Sequence, residues 1–408
     1  MMRSSSAKAD PDHVDFKEVL APTPFQDRVD SYCLTQDWAS WNGYKTAKIY
    51  DTLASEYFAI RSTCGVMDLT PMEKYRVSGP DALHFLNRLV TRDVSGLQPN
   101  RVTYVLWCND EGKVLDDGTI FSLGGGEYRL CSQHHQLDWL LISSLGFDVT
   151  IEEETHSIAA LAVQGPTSYS VLSAAGFQEL NGLKPFSMIN ARVNGIECMV
   201  SRTGFTGDLG YEIWTDPSHA STIWDRIFDL KEQGLFDIRP TGLGALEMVR
   251  IEAGFILPGD DFNTAETAIR ADHDRSPYEL GLGWLVNLQK CYFTGKRALV
   301  AEFARPIRRR LVRLSIEGNK QPKDAFLYDR KGGGRIGTIK SCVWSPILKT
   351  NVAMADIEYD KGAPPKQIWA EIYYQKELEW RATWAQCHLS SKPFWVHQRS
   401  SATPPQKY

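Results

Sequence analysis

The sequence predicts an α+β protein: two related α+β lobes on antiparallel sheets, followed by a separate all-β module. Three observations carry this. The runs VSGPDALHFL (77–86) and VQGPTSYSVL (163–172) share Val-x-Gly-Pro with a Leu six residues after the Pro. In each, a strand would end at Gly and a helix begin at Pro, which fits a first helical turn, so the echo reads as two copies of one strand–helix unit laid on a sheet. Between them, CNDEGKVLDDGTIF (108–121) reads as a β-hairpin, with the polar turn 109–112 between apolar-rich arms. After Arg308, short strand-like runs alternate with turns: RRLVRLSIEG, RIGTIKSCVW, VAMADIEY and IWAEIYYQKELEWRATW.

Taken in chain order, residues 1–20 read as a polar mobile tail. Residues 21–305 hold the two lobes and open on an aromatic-rich stretch that includes Trp38, Trp41, Tyr44, Tyr50 and Tyr57. Ser78 and Asp81 have the spacing of a capping box. Helices are expected at 217–231, opened by Asp216-Pro217, and at about 242–253, closed by Gly254. Residues 306–392 form the all-β module, and 393–408 a second tail whose end, SSATPPQKY, reads as disordered.

Bulk composition excludes several classes. The 408 residues carry a formal net charge of -5, with 43% hydrophobic and 23% charged residues. That is the balance of a globular protein without the basic face of a nucleic-acid binder. No apolar run of about 18 residues exists, so no transmembrane helix is expected. The N-terminus has no apolar signal region, and the eight cysteines are scattered without a C-x-x-C pair. Together these fit a cytoplasmic location, with no disulfide framework and no metal site. GGGRIG (332–337) satisfies G-x-G-x-x-G but runs into a strand-like segment, so it reads as a hairpin turn and not a dinucleotide loop. The acidic group Asp260, Asp261, Asp272, His273, Asp274 reads as a solvated loop.

Three segments concentrate chemistry. The hairpin arm carries Asp116 and Asp117 side by side; strand side chains alternate between faces, so one of them must enter the buried face, where a carboxylate needs a partner. SRTGFTGDLGYEIW (201–214) carries three glycines in a tightly turned stretch, then Glu212 within an apolar strand. GLGALEMVRIEAG (242–254) puts Glu247 and Arg250 on one helical face, as an ion pair or with Arg250 free to hold a ligand.

These segments, with CGVMDL, NDEGKVLDD, SPYELGLGWLV, FTGKRAL and GTIKSCVWSPIL in the same order, resemble the glycine-cleavage T-protein (aminomethyltransferase) family and its folate-dependent demethylase relatives. The resemblance spans roughly residues 55 to 390 and implies a three-lobed arrangement, two α+β lobes and a β-barrel, with tetrahydrofolate in a central opening. It places Asp116 at the catalytic carboxylate beside the reactive folate nitrogens. It places Glu212 at the acid that grips the pterin, an acceptor-only group facing a donor edge. Phe205 stands where the family has Tyr against the folate, and Tyr104 and Arg250 are further pocket candidates.

The chain also departs from the T-protein pattern. Leu246 replaces the first of two arginines, Gly112-Lys113 replaces Gly-Gly, and Met67-Asp68-Leu69-Thr70-Pro71-Met72 replaces F-D-V-S-H-M. These changes favour the demethylase branch. TPFQDRVDSY, GDDF and VNL look closest to the dimethylsulfoniopropionate demethylases, although that branch usually has Asn at position 116. The expected reaction is transfer of a methyl group from a small sulfonium or amine donor to N5 of tetrahydrofolate, with or without a polyglutamate tail. A folate nitrogen or a substrate cation would then be the buried partner of Asp116, in preference to another side chain, with Trp38, Trp41 and Tyr44 as a cation–π wall for the donor. This argues against a lipoylated carrier as partner. Two rivals stand beside it: aminomethyl transfer from such a carrier, and folate binding without turnover, as in relatives that assist iron–sulfur assembly, whose K-G-C-Y-x-G-Q-E run is echoed by Lys290, Cys291, Tyr292 and Gly295.

Overall fold

A computed structural model describes residues 19–270 and 273–405. The repeated Val-x-Gly-Pro runs do build equivalent corners. Strand Glu73–Ser78 is followed by helix Ala82–Leu89, and strand Ala159–Gln164 by helix Ser168–Ala175. Gly79 and Gly165 both sit at positive φ, 115° and 124°. A Cβ at either would fall 2.6 Å from a backbone carbonyl oxygen, of Asp148 or of Thr63, so only glycine closes the turn. Each helix starts after a short turn beyond the Pro. The expected capping box does not form: Asp81 uses its carboxylate to accept from the Asp148 amide at 2.9 Å, tying the corner to the next loop.

The first lobe is a five-stranded antiparallel sheet in the order Val102–Cys108, Val114–Gly124, Glu127–Ser132, Glu73–Ser78, Thr150–Glu153. The second is six-stranded: Met188–Val193, Ile196–Ser201, Gly210–Thr215, Ala159–Gln164, Cys64–Asp68, Ile238–Pro240. It is antiparallel except at the last pair, which runs parallel. The two sheets meet face to face through Val102, Phe121, Cys131, Ala160, Met188 and Trp214. Their outer faces bury separate cores, one with Val105, Trp107 and Ile120 under helix Ala82–Leu89, the other with Tyr211, Ile213 and Trp224. Six strands from Arg309–Ile316 to Glu379–Ser390 close into a barrel, as the resemblance implies. GGGRIG is a turn leading into strand Arg335–Ser345. The two expected helices appear as Ala220–Glu232 and Leu243–Ala253, the latter ended by Gly254 at positive φ.

Two sequence expectations are corrected. Residues 400–405 are not a loose tail: the buried Arg202 guanidinium donates to the carbonyls of Arg399 and Ala402 at 3.0 and 3.1 Å, and the Gly182 amide donates to that of Pro404. Asp261 is not in a solvated loop but fully buried, accepting from Arg250, Ser341 and the Leu257 amide. Asp272 and residues 1–18 and 406–408 lie outside the described residues. Among the described residues, no helix is long and apolar enough to cross a membrane.

A buried polar junction joins lobes to barrel. Arg61 donates to Glu252 at 2.8 and 3.0 Å, and Glu252 also accepts from Tyr57 at 2.7 Å and from Ser345 of the barrel at 2.6 Å. The Arg61 and Glu252 side chains are 0% and 1% exposed. Glu252→Ala should therefore cost about 3–5 kcal/mol, because it leaves a buried guanidinium without its counter-charge. Urea unfolding would show this as a lowered midpoint.

Candidate active site between the two sheets

Register decides which acid of the hairpin faces the second sheet. Asp116 lies opposite Trp107, and Gly118 opposite Val105. Trp107, Val105 and Ile120 all belong to the first lobe's own core, so Asp116 points into that core and is 0% exposed. Its carboxylate accepts from the His134 amide at 3.0 Å and the Asp117 amide at 2.8 Å, with His134 Nδ1 at 3.6 Å. Burial raises the Asp116 pKa, and the pairing raises that of His134. The partner of Asp116 is thus a residue of the chain, His134, which corrects the expectation of a folate nitrogen or donor cation there.

Asp117 takes the other face. It lies opposite Leu106, with Thr119 opposite Tyr104 and Cys131, and Phe121 further along the same side. Phe121 packs edge-on against Trp214 of the second sheet, ring centroids 5.2 Å apart, so this is the face that meets the second lobe. Tyr104 donates its hydroxyl to Asp117. Burial, and after it the neighbouring Asp116 charge, raises the Asp117 pKa to about 7.

Glu212 comes from the opposing sheet. Strand alternation puts it on the Trp214 face, in a row with Ala162 and Met67. Its carboxylate accepts from the hydroxyls of Ser201, at 3.3 Å, and Thr203. Loss of solvation raises its pKa to about 6, against those two hydrogen bonds. The Glu212 charge also acts on Cys131 across the interface, adding to the burial that pushes that thiol up to about 12. The two acids therefore face one inter-sheet space, and each accepts a hydroxyl hydrogen bond through its carboxylate.

The glycine-rich loop leading to Glu212 is shaped by Gln164. A Cβ at Gly204 or Gly210 would fall 2.1 or 2.0 Å from the Gln164 side-chain oxygen, which instead accepts from Thr206 at 2.9 Å. Phe205 at its tip stacks on Phe255 at 5.3 Å. Leu246 is partly buried and, like Tyr104, packs against the apolar cluster of Leu106, Met248 and Val249. Trp284, 64% exposed, lies against Tyr104 at 6.2 Å, and nothing in its sequence context singled it out.

Other candidates lie elsewhere. Arg250 is 1% exposed, and its guanidinium already serves Glu247 in a fork at 2.8 Å, Asp261, the Phe255 carbonyl and Ser341. It is a structural pillar between helix, loop and barrel, which favours the ion-pair reading over the ligand reading. Trp38 carries Lys45 over its ring at 3.9 Å, and Tyr44, buried, spends its hydroxyl on His156. Trp41 pairs with Tyr44 across the N-terminal hairpin. With a resident cation on Trp38, this hairpin does not present the open aromatic wall expected for a donor.

Comparison with known proteins now adds to this geometry. Residues 31–290 match the model of the GCVT N-terminal domain. The chain belongs to the GCVT aminomethyltransferase family. The aminomethyltransferase of Halothermothrix orenii is 31% identical over 333 residues, covering 80% of this chain and 89% of its own. That of Caldanaerobacter subterraneus is 33% identical over 315 residues, covering 76% and 81%. The crystal structure of the glycine cleavage system aminomethyltransferase T from Bartonella henselae superposes with a TM-score of 0.78 at 23% identity, over 92% of this chain and 98% of that one, a likeness of fold. Membership makes this chain a tetrahydrofolate-dependent one-carbon transferase, an enzyme, and sets aside the reading of folate binding without turnover. The residues fit that cosubstrate: Glu212 offers two acceptor oxygens for a pterin donor edge, with no basic side chain among the hydrogen-bond donors to its carboxylate.

The raised pKa of Glu212 has a stability consequence. The unfolded carboxyl ionises near its ordinary value of about 4.3, the folded one near 6. Between those values the folded chain keeps the proton longer, so the wild type loses stability as pH rises. Glu212→Gln should equal the wild type in melting temperature at pH 4 and exceed it by a margin that grows up to about pH 7, in thermal unfolding without ligand.

Proposed function

We propose that the chain moves a methyl group from a small cationic donor to N5 of tetrahydrofolate, with Asp117 as the acid at the reacting edge and Glu212 as the hold on the pterin. The observation that supports it is the pair of solvent-poor carboxylates on facing sheets, with Leu246 in place of the arginine that the resemblance leads one to expect beside the folate. A pocket with that charge favours a cation and disfavours an anion. Tetrahydrofolate supplies the nucleophilic nitrogen. Asp117, with a pKa near neutrality, can hold or accept the proton that this nitrogen sheds. Tyr104 fixes the orientation of Asp117, and Phe205 and Phe255 offer an apolar edge to the ring system. For a sulfonium donor, the carbon–sulfur bond breaks as the carbon–nitrogen bond forms, and the leaving thioether departs neutral.

A second reading has its own support. The relatives cited above are named aminomethyltransferases. In that reading a lipoylated carrier delivers an aminomethyl group and the same two acids serve the folate. Incubating the enzyme with tetrahydrofolate and, separately, sulfonium, betaine, methylamine and lipoylated-carrier donors separates the two by product mass. 5-Methyltetrahydrofolate from a cationic donor supports methyl transfer. Methylenetetrahydrofolate formed only with the carrier overturns it.

Substitution tests the assignment of roles. Asp117→Asn should lower turnover by about 10²–10⁴-fold while tetrahydrofolate still binds. Asp116→Asn should keep turnover within about tenfold, because Asp116 faces the lobe core and bears on the reacting edge only through its charge, the lesser of the two causes that raise the Asp117 pKa. Glu212→Gln should weaken tetrahydrofolate binding by about 10–100-fold, the worth of a charge-assisted hydrogen bond. Steady-state rates and calorimetric titration check all three.

A further inference from the structure

The C-terminal segment beyond the barrel lies on the outer side of the glycine-rich loop. The Trp395 amide donates to the Glu252 carbonyl at 2.8 Å, and the Arg61 guanidinium lies over the Trp395 ring at 4.4 Å. A Cβ at Gly207 would approach Trp395 at 3.5 Å, so ring and loop are in contact. Arg399 grips Asp208 of the loop in a two-pronged pair at 2.8 and 2.9 Å, with side chains 14% and 0% exposed. Arg202 reaches both ways, to the Gly210 carbonyl at 3.1 Å and to the carbonyls of Arg399 and Ala402. On the inner side the loop carries Phe205, and Thr203 at its start donates to Glu212.

We propose that residues 395–402 are a strap that holds the glycine-rich loop in its folate-receiving shape, with Arg399 as a positioning residue acting through Asp208. The proposal rests on the reading of Glu212 and Phe205 as the hold on the pterin. A loop with glycines at 204, 207 and 210 has many backbone states to lose on ordering. Inside, Gln164 and the Arg61 bond to the Thr206 carbonyl, 2.7 Å, fix two points. Asp208 is held from outside by Arg399, and its own carboxylate also accepts from the Leu209 amide at 2.8 Å, so the ion pair sets the backbone next to it. Freeing Asp208 would leave the loop to be ordered when folate binds, and that cost would appear as lost affinity. The buried core clusters of lobes and barrel contain no residue beyond Cys387, and Phe394, which packs against one of them, precedes the strap, so loss of the strap's end removes polar partners but no core side chain.

The test uses the full chain, Arg399→Ala, Arg399→Lys and a chain ending at Gln398, with anaerobic calorimetric titration of tetrahydrofolate, hydrogen exchange of residues 203–210, and melting temperature. Expected are a dissociation constant raised about tenfold or more in Arg399→Ala and in the shortened chain, faster exchange in the loop, and a lowered melting temperature in a chain that still unfolds cooperatively, since Asp208 loses its counter-charge at the rim of the fold. Arg399→Lys should recover part of the affinity, since an ammonium keeps the charge but not the fork. Wild-type affinity and loop exchange in both Arg399→Ala and the shortened chain would overturn the strap. So would a parallel collapse of melting temperature and all binding, which would make the segment a part of the core. A wild-type chain that fails to bind tetrahydrofolate would instead overturn the reading of Glu212.

Discussion

Two carboxylates held where water is scarce set the terms for this molecule. Asp117 and Glu212 stand on facing sheets, and their carboxylates accept hydroxyl hydrogen bonds. Hydroxyls soften the loss of solvation without cancelling charge, so both acids ionise late, near 7 and near 6. At the junctions with the barrel, two buried acids meet arginines instead, Glu252 with Arg61 and Asp261 with Arg250, while Glu56 and Asp116 are held by backbone amides. The contrast is local and chemical. At the junctions a guanidinium meets the charge; between the sheets hydroxyls do, and on the proposed reading a ligand with donors or positive charge meets it there. Stability given up at such a place is a common feature of binding sites.

The fold explains how the acids come to face each other. Each lobe contributes a strand whose one side is committed to its own core and whose other side is committed to the sheet interface. Phe121, Cys131 and Trp214 fill one part of that interface with apolar volume. Asp117, Thr119 and Glu212 continue the same faces. The barrel and the helix Leu243–Ala253 close the rear through the Arg61–Glu252 and Arg250–Asp261 junctions. The C-terminal residues then lie over the loop that precedes Glu212, so three distant parts of the chain bear on one short segment.

Much of this was legible in the sequence, and the misses share a cause. The repeated Val-x-Gly-Pro, the three-glycine loop and the switch to short strands after Arg308 are strong local signals, because glycine geometry and strand alternation follow from the backbone itself. The place of Glu212 in a strand was legible for the same reason, a lone acid between Tyr211 and Ile213. The choice between Asp116 and Asp117 was not. Both faces of that strand are buried, with Leu115 and Val114, then Ile120 and Phe121, apolar on either side, so alternation alone cannot say which face is the lobe core. Only the register with Trp107 and Tyr104 decides it. His134, Asp261 and Arg399 were misread or missed because their partners are far away in sequence or in a segment whose composition resembles a free tail. Trp38 looked open to a donor because nothing local shows that Lys45 covers it.

The account depends on a reduced pteridine lying between the two sheets. A crystal structure of the enzyme with 5-methyltetrahydrofolate tests this most directly. The account predicts the pterin's amino edge within hydrogen-bonding distance of the Glu212 carboxylate and its N5 side turned to Asp117, with Asp116 still bound to His134. A pteridine found away from this interface, or gripped by Asp116 with Asp117 buried behind it, would contradict it.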